Sequence, residues 1–499
     1  MAILRRILFY FLLVFYLVTC PLVILYALGY AYQPGASPNI AKLGVISVST
    51  MPSGASVYLG RSRFTEQTPT VLMDLFPGEY ILKIVLKDYR PWIRKIPVRS
   101  GKATVLENII LVPTNLRMET VAPDSFDDLT PFPGTPFFLL SKGNKLKESY
   151  VLYWRSGKIR PLLPLDSPYA EIKLEKIFHV RKSPSPIFQV DSETGEKYLR
   201  MSIRGKRTIA EDLSDLIPQT PDSWIWDPKA EKYLFYLDDG RLGRIDLTSN
   251  EISLITDQVQ GVGLFDHKIY IIRSGDVIRM DRSGNDSESL LHDPELGTEL
   301  FKKGEYAQFF ECERLEGGVL LFWRKHGELL SNRFPYRLVD DGVLGIEPYK
   351  GKPALLVWQK KRIGIIDFSK KPSDAEDVFE KGVKVRWVHE NGADIRQAFW
   401  ISEGDYILFL DSNGVFLLDA FSGMQSSVRF LFSVKDKSSV YYAPSLGKLY
   451  YLEAESGKLR TFELLETDLL APVRRSFEND KETIEKVRDG LSFFQSRSE

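Results

Sequence analysis

The side chains able to ligate a metal or act as nucleophiles are few and dispersed. Five histidines (His179, His267, His292, His326 and His389) and two cysteines (Cys20 and Cys312) include no HExxH and no CxxC spacing. Zinc needs His, Cys or carboxylate donors converging on one centre, and no stretch of the chain supplies them locally. No metal site is expected. Cys20 lies inside an apolar N-terminal run, so it is not placed to pair with Cys312, and a disulfide framework is excluded. With no Gly-rich nucleotide loop and no nucleophile elbow, no cofactor is expected. Carboxylates remain. A glycosidase or lyase needs two of them about 5–10 Å apart, and sequence spacing singles out no such pair among the 66 Asp and Glu. Asp246, Asp281, Asp367 and Asp419 each close an apolar strand, where a carboxylate ordinarily accepts backbone N–H groups from the next few residues. Turn capping is their expected role. No residue is assigned to catalysis, and the chain is read as a non-enzyme.

The elements that would position any site begin with an apolar run. Residues 7–28 (ILFYFLLVFYLVTCPLVILYAL) carry no charge. As a helix they extend roughly 33 Å, enough to cross a hydrocarbon core of about 30 Å. Arg5 and Arg6 precede the run and the next basic residue is Lys42, so the positive-inside rule places the N-terminus in the cytoplasm and the rest outside. Two other readings are weaker. Ala27-Leu28-Gly29 is a poor cleavage signal. Leu17-Val18-Thr19-Cys20 approaches a lipoprotein signal, but Thr is unusual before the Cys and the chain stays apolar after it. Residues 1–30 are therefore expected to be an uncleaved transmembrane signal anchor, and residues 31–42, with Pro, Gly, Ser and Asn, a linker.

From 43 to 113 the pattern alternates as in strands. Ile46, Val48 and Thr50 share one face, as do Tyr80, Leu82, Ile84 and Leu86, with turn signals between the runs. A compact β-sandwich is predicted. The string Pro52-Ser53-Gly54-Ala55, then Thr68-Pro69, then Pro77-Gly78-Glu79-Tyr80 resembles the PEGA domain, a family named for its P-E-G-A sequence. Asp88-Tyr89 stands where the family usually has Gly-Tyr. The resemblance implies a cell-envelope or surface protein and no catalytic residue. Turn chemistry alone accounts for the motif: Pro52 and Pro77 pre-set turns, Gly54 and Gly78 relieve crowding in them, and Thr68-Pro69 opens a strand. This segment is also basic, with Lys87, Arg90, Arg94, Lys95, Arg99 and Lys102 grouped in sequence around Trp92. Such a patch could attract anionic headgroups or wall polymer, or be a solvated strand face with a basic fringe.

Residues 114–466 repeat. An aromatic-rich apolar strand, a short turn and a second strand recur with starts near Tyr150, Ile187, Tyr233, Lys268, Val319, Ala354, Tyr406 and Lys448. The mean spacing of about 43 residues is that of a four-stranded propeller blade, predicting seven or eight blades closed into a ring. The periodicity resembles that of WD40-like and TolB-like β-propellers, without a regular Gly-His and Trp-Asp signature. In the tail, 467–499, Ile484, Val487, Leu491 and Phe494 recur at helical spacing after Asn479 and Glu482, predicting a short amphipathic helix.

The fold expected is thus mainly β: a membrane helix, a small PEGA-type sandwich, a large propeller and a C-terminal helix. Lys plus Arg and Asp plus Glu are both 66, and this balance argues against a nucleic-acid partner. The function expected is interaction at the cell envelope, outside the cytoplasmic membrane, with an envelope protein or cell-wall glycan as partner. The alternatives are a wall tether acting through the basic face, and a propeller glycosidase or lyase.

Overall fold

The computed structural model describes residues 2–464 except 33–39, 61, 133, 180–182, 194, 206, 218–222, 227–231, 274–275, 293–307, 310, 316–317, 325, 333–336, 350–352, 370–382, 402–405 and 422–425. The predicted tail helix falls outside the described residues. The chain forms two compact units, one built on Met1–Met118 and the other on Glu119–Thr461.

The first unit opens with helix α1 (Ala2–Ala27). Its Leu8–Ala27 segment has a mean hydropathy of 2.5 and is buried against no part of the protein. The helix is long and apolar enough to cross a membrane. Pro21 lies within it, where the missing N–H leaves a carbonyl one turn earlier without its usual donor. The segment read as a linker is partly structured. Strands β1 (Tyr30–Tyr32) and β2 (Ile40–Lys42) pair antiparallel, matching Tyr30 with Lys42.

Seven further strands make the predicted sandwich. One sheet has β3 (Gly44–Met51) between β6 (Thr70–Leu75) and β9 (Ala103–Ile110), with β3 and β9 parallel. The other runs β5 (Ser62–Gln67), β4 (Ser56–Leu59), β7 (Gly78–Val85), β8 (Trp92–Val98). The strict burial alternation along β3 is what a half-buried strand must show. Ile46, Val48, Leu72, Val57, Leu82, Ile84, Trp92 and Ile96 are almost wholly removed from solvent. The sandwich has two ends. At one lie the starts of β3, β7 and β9 and the end of β8; at the other lie the end of β3, the start of β4 and the β7–β8 connection.

The second unit is a ring of eight blades among the described residues, each of four strands except the fourth, to which Gln308–Phe309 adds a fifth strand parallel to Gly261–Phe265. Five are meanders of four consecutive strands, spanning 128–161, 173–212, 223–256, 261–292 and 395–433. The fifth and sixth blades share the strand Arg337–Pro348, whose first half pairs with Gly327–Ser331 and whose second half pairs with Ala354–Gln359. The eighth is composite: strand β10 (Met118–Ser125) lies at the edge of a sheet whose other members are Lys458–Glu463, Lys448–Leu452 and Tyr441–Ala443.

Hydrophobic clusters explain why the blades close. Each blade has two apolar faces, and Phe132, Val151, Phe188 and Met201 join the first blade to the second. Phe235, Leu237, Val262 and Ile271 join the third to the fourth, and Leu356, Trp358, Ile407 and Phe409 the sixth to the seventh. Phe399 packs on Tyr442, and Phe432 on Tyr451, at the next junction. The circle closes where Phe138, Leu140 and Trp154 of the first blade meet Tyr441, Tyr450 and Leu459 of the eighth. Tyr450 donates to the Trp154 carbonyl at 2.9 Å, and Trp154 Nε1 and Tyr441 Oη both donate to the Thr135 carbonyl.

Candidate functional site

The sandwich motif is a connected piece of turn chemistry. Thr68, only 3% exposed, is its hub. Its backbone exchanges hydrogen bonds with the 54–55 segment, Gly54 N donating to Thr68 O at 2.7 Å and Thr68 N to Ala55 O at 2.9 Å. Its hydroxyl accepts from Ala55 N at 3.0 Å and lies 2.5 Å from the hydroxyl of Thr50, which donates to Pro52 O. Ala55 is fully buried. Pro52 and Pro69 both follow cis peptide bonds. Gly54 sits at φ +83°, a conformation L side chains rarely adopt. Gly78 does not share that role: its φ is not positive, and a Cβ there would make only an ordinary contact with Tyr80. The Pro77 turn is held instead by Tyr80, whose hydroxyl donates to Phe76 O at 3.0 Å. Thr50, which completes the buried pair, was not among the motif residues read from sequence; its position on the buried face of β3 was the available signal.

The basic residues grouped in sequence are divided in space. Lys87 and Arg90 lie in the β7–β8 connection, while Arg99 and Lys102 flank the turn after β8, at the other end of the sandwich. Seven residues of strand separate the two pairs, roughly 23 Å. Trp92 is 2% exposed and belongs to the core. Arg94 lies over its ring at 5.9 Å, whereas Lys95 points to the opposite face and pairs with Glu79. A cleft of about 320 Å³ does occur on the outer face of the three-stranded sheet, lined by Ser47, Ser49, Thr70, Val71, Glu107 and Asn108. Its hydroxyls, amide and carboxylate could hold a small polar group. Alternation along β3 marks Ser47 and Ser49 as outward-facing, but it cannot mark both members of the consecutive pairs Thr70-Val71 and Glu107-Asn108, of which Thr70 is buried.

In the ring the strand-closing aspartates are turn caps. Asp246 accepts from the backbone and hydroxyl of Thr248, and its carboxyl is held well below the usual range by those bonds and by Lys232. Asp281 likewise accepts from Ser283 and Asn285, and Asp367 from Ser369. Asp419 differs: it is buried, accepts from Ser427 N and pairs with Arg429 at 3.4 Å. Four of the histidines lie in separate structural settings. His267 and His326 occupy left-handed turn positions, His179 packs on Phe132, and His389 packs on Phe409, where burial lowers its pKa. Among the described residues no three His, Cys, Asp or Glu side chains gather as a metal site.

Residues 43–114 match the PEGA domain family. No curated protein matches the chain. Solved β structures align at low similarity. A β-propeller domain of Cps50 (Swd1) from Myceliophteria thermophila is 9% identical, covering 69% of this chain and 99% of its own, with a TM-score of 0.36. YCF48 from Cyanidioschyzon merolae is 10% identical over 69% of this chain and 98% of its own, at 0.37. PorZ, a surface component of the Porphyromonas gingivalis type-IX secretion system, is 13% identical over 67% of this chain and 42% of its own, at 0.31. The blades and their closure, rather than these likenesses, carry the assignment of a propeller.

Proposed function

We propose that this protein is a single-pass membrane protein, with its N-terminus in the cytoplasm, that presents the PEGA domain and the propeller outside as a non-catalytic binding scaffold. Its partner is an envelope protein or a cell-wall glycan. The observation that carries the reading is the uncovered apolar helix Leu8–Ala27 on the same chain as two all-β units. Arg5 and Arg6 before the helix set its direction. The ring supports the binding role because its blades are joined to their neighbours by apolar contacts, a framework on which a binding face can be carried. A tether acting through one basic face is weakened by the division of Lys87 and Arg90 from Arg99 and Lys102 between two ends of the sandwich.

The test uses the full chain in its own membrane. External protease on spheroplasts should digest everything beyond the helix, and chemical cross-linking on intact cells should yield a discrete partner. Pelleting of the detergent-solubilised protein with cell-wall sacculi would identify glycan instead. Protection of the propeller from protease would overturn the orientation, and release of sugar fragments from sacculi would overturn the non-catalytic reading.

A further inference from the structure

The inference rests on the reading that α1 spans the membrane, and starts from how little chain separates that helix from the sandwich. Gly29, two residues past the end of α1, accepts a hydrogen bond at 2.8 Å from Leu43 N, and β3 begins at the next residue. The intervening segment turns back on itself through the Tyr30–Lys42 pairing, so it does not act as a spacer. Leu28 and Gly29 continue the last turn of the helix, Leu28 N donating to Ile24 O and Gly29 N to Tyr26 O, so these two residues and one hydrogen bond span at most about 10 Å. The headgroup layer on one side of a bilayer is about 5–8 Å thick. The end of the sandwich where β3 starts is therefore held at the headgroups.

That end is the one carrying Arg99 and Lys102. Their turn is closed by Lys102 N donating to Arg99 O at 3.2 Å, and Val45 N donates to Lys102 O at 3.3 Å, joining the turn to the start of β3. Gly101 at its tip has φ +63°, and a Cβ there would fall 2.7 Å from Lys42 Cδ. The aliphatic stem of Lys42 thus lies across the turn, with its ammonium 6.0 Å from the centre of the Tyr30 ring. Lys42, Arg99 and Lys102 are all exposed. Two carboxylates share this end: Asp74, beside the residue of β6 that pairs with Gly44, and Glu79, beside the residue of β7 that pairs with Val98 and itself engaged by Lys95. With Glu79 set against Lys95, Lys42, Arg99 and Lys102 stand against Asp74 where an aromatic ring and a helix exit mark the membrane boundary.

We propose that Lys42, Arg99 and Lys102 form a binding site for the phosphates of anionic phospholipids in the leaflet from which α1 emerges. Each cation near an anionic surface strengthens binding about fivefold, so the three together should give a preference of at least tenfold after Asp74 is set against them. The sandwich is thereby seated on the bilayer by its 99–102 turn, and its Thr68-centred motif, at the opposite end, faces away.

The full chain is extracted from bilayers of equal phosphatidylglycerol and phosphatidylcholine, and the retained lipids are identified by native mass spectrometry. Wild type should keep phosphatidylglycerol over phosphatidylcholine, and K42Q/R99Q/K102Q should lose at least tenfold of that preference. K87Q/R90Q, which removes charge at the far end of the sandwich, should keep it. Equal retention by the triple variant and wild type overturns the proposal, as does an equal loss in K87Q/R90Q. Abolition of the preference by millimolar inorganic phosphate would point to a free-anion site and also overturn it. Alkaline carbonate separates the two readings: release of the protein would sink the anchor and this site with it. An integral protein without lipid preference sinks the site alone.

Discussion

Closure of the ring depends on a few polar contacts made inside an aromatic cluster, and one of them can be removed almost without changing shape. Tyr450 packs on Phe138 with ring centres 5.3 Å apart, and its hydroxyl donates to Trp154 O across the junction of the eighth and first blades. Tyr450→Phe keeps the packing and deletes the bond. A buried neutral hydrogen bond contributes about 1–1.5 kcal/mol net, so the folded-to-unfolded ratio should fall roughly five- to tenfold. Tyr153, in the neighbouring core of the first blade, supplies the opposite case. Its hydroxyl is buried with no hydrogen-bond partner, so Tyr153→Phe should leave stability unchanged or raise it by up to about 1 kcal/mol. Both variants are compared with wild type by urea unfolding of the full chain in detergent at pH 7, followed by tryptophan fluorescence. A Tyr450→Phe protein as stable as wild type, or a Tyr153→Phe protein that loses as much, would refute the assignment of the closing bond.

Three other outcomes are expected. Thr68→Val should destabilise the sandwich by about 2–3 kcal/mol by stranding the buried Ala55 N–H, while Thr68→Ser should be nearly neutral; thermal melting distinguishes them. Gly345→Ala should cost about 1–3 kcal/mol, because the added methyl would lie 2.1 Å from the Trp358 ring, and hydrogen exchange in the sixth blade should report the loosening. Burial pushes Tyr450 and Tyr451 up to about 12 from the ordinary 10. Below pH 10 both are neutral folded or unfolded; above it the unfolded chain loses its protons first. Stability should therefore be level up to about pH 10 and fall towards pH 12, as denaturant midpoints at several alkaline pH values would show.

The repeat was legible because of which strands bury both faces. Seven of the eight sequence starts fall on or beside the second strand of a blade, as at Tyr406–Asp411 and Ala354–Gln359, which are buried almost throughout. Only Tyr150 marks a third strand. Outer strands such as Arg207–Asp212 and Glu251–Thr256 are mostly exposed and mixed in character, so periodicity passes over them. The shared strand Arg337–Pro348 was invisible for a related reason: a break between blades needs no turn signal when one strand serves both. The sandwich was readable from alternation and turn residues. The grouping of its basic residues was misleading, since a strand places sequence neighbours on opposite faces and its two ends far apart. Residues 31–42 looked like a spacer because Pro, Gly and Ser mark turns as well as linkers, and the pairing of Tyr30 with Lys42 is set by geometry.

The composite eighth blade also sets an order of events in time. Contacts that close the ring, such as Tyr441 Oη to Thr135 O, join residues 306 positions apart. At synthesis rates of about 5–20 residues per second, strand β10 waits about 17–67 s for Lys458–Glu463, the strand that will receive it. An unpaired strand is a template for mispairing over such an interval. The sequence of β10, METVAPDS, is suited to the wait. It carries Glu119, Pro123 and Asp124 and buries only Ala122 deeply once paired. A strand with so little apolar surface and a proline that cannot donate makes a poor partner for anything but the edge it was shaped to meet. Replacing its polar residues with β-branched apolar ones would strengthen the finished ring while making the newborn chain more prone to aggregate before the ring can form.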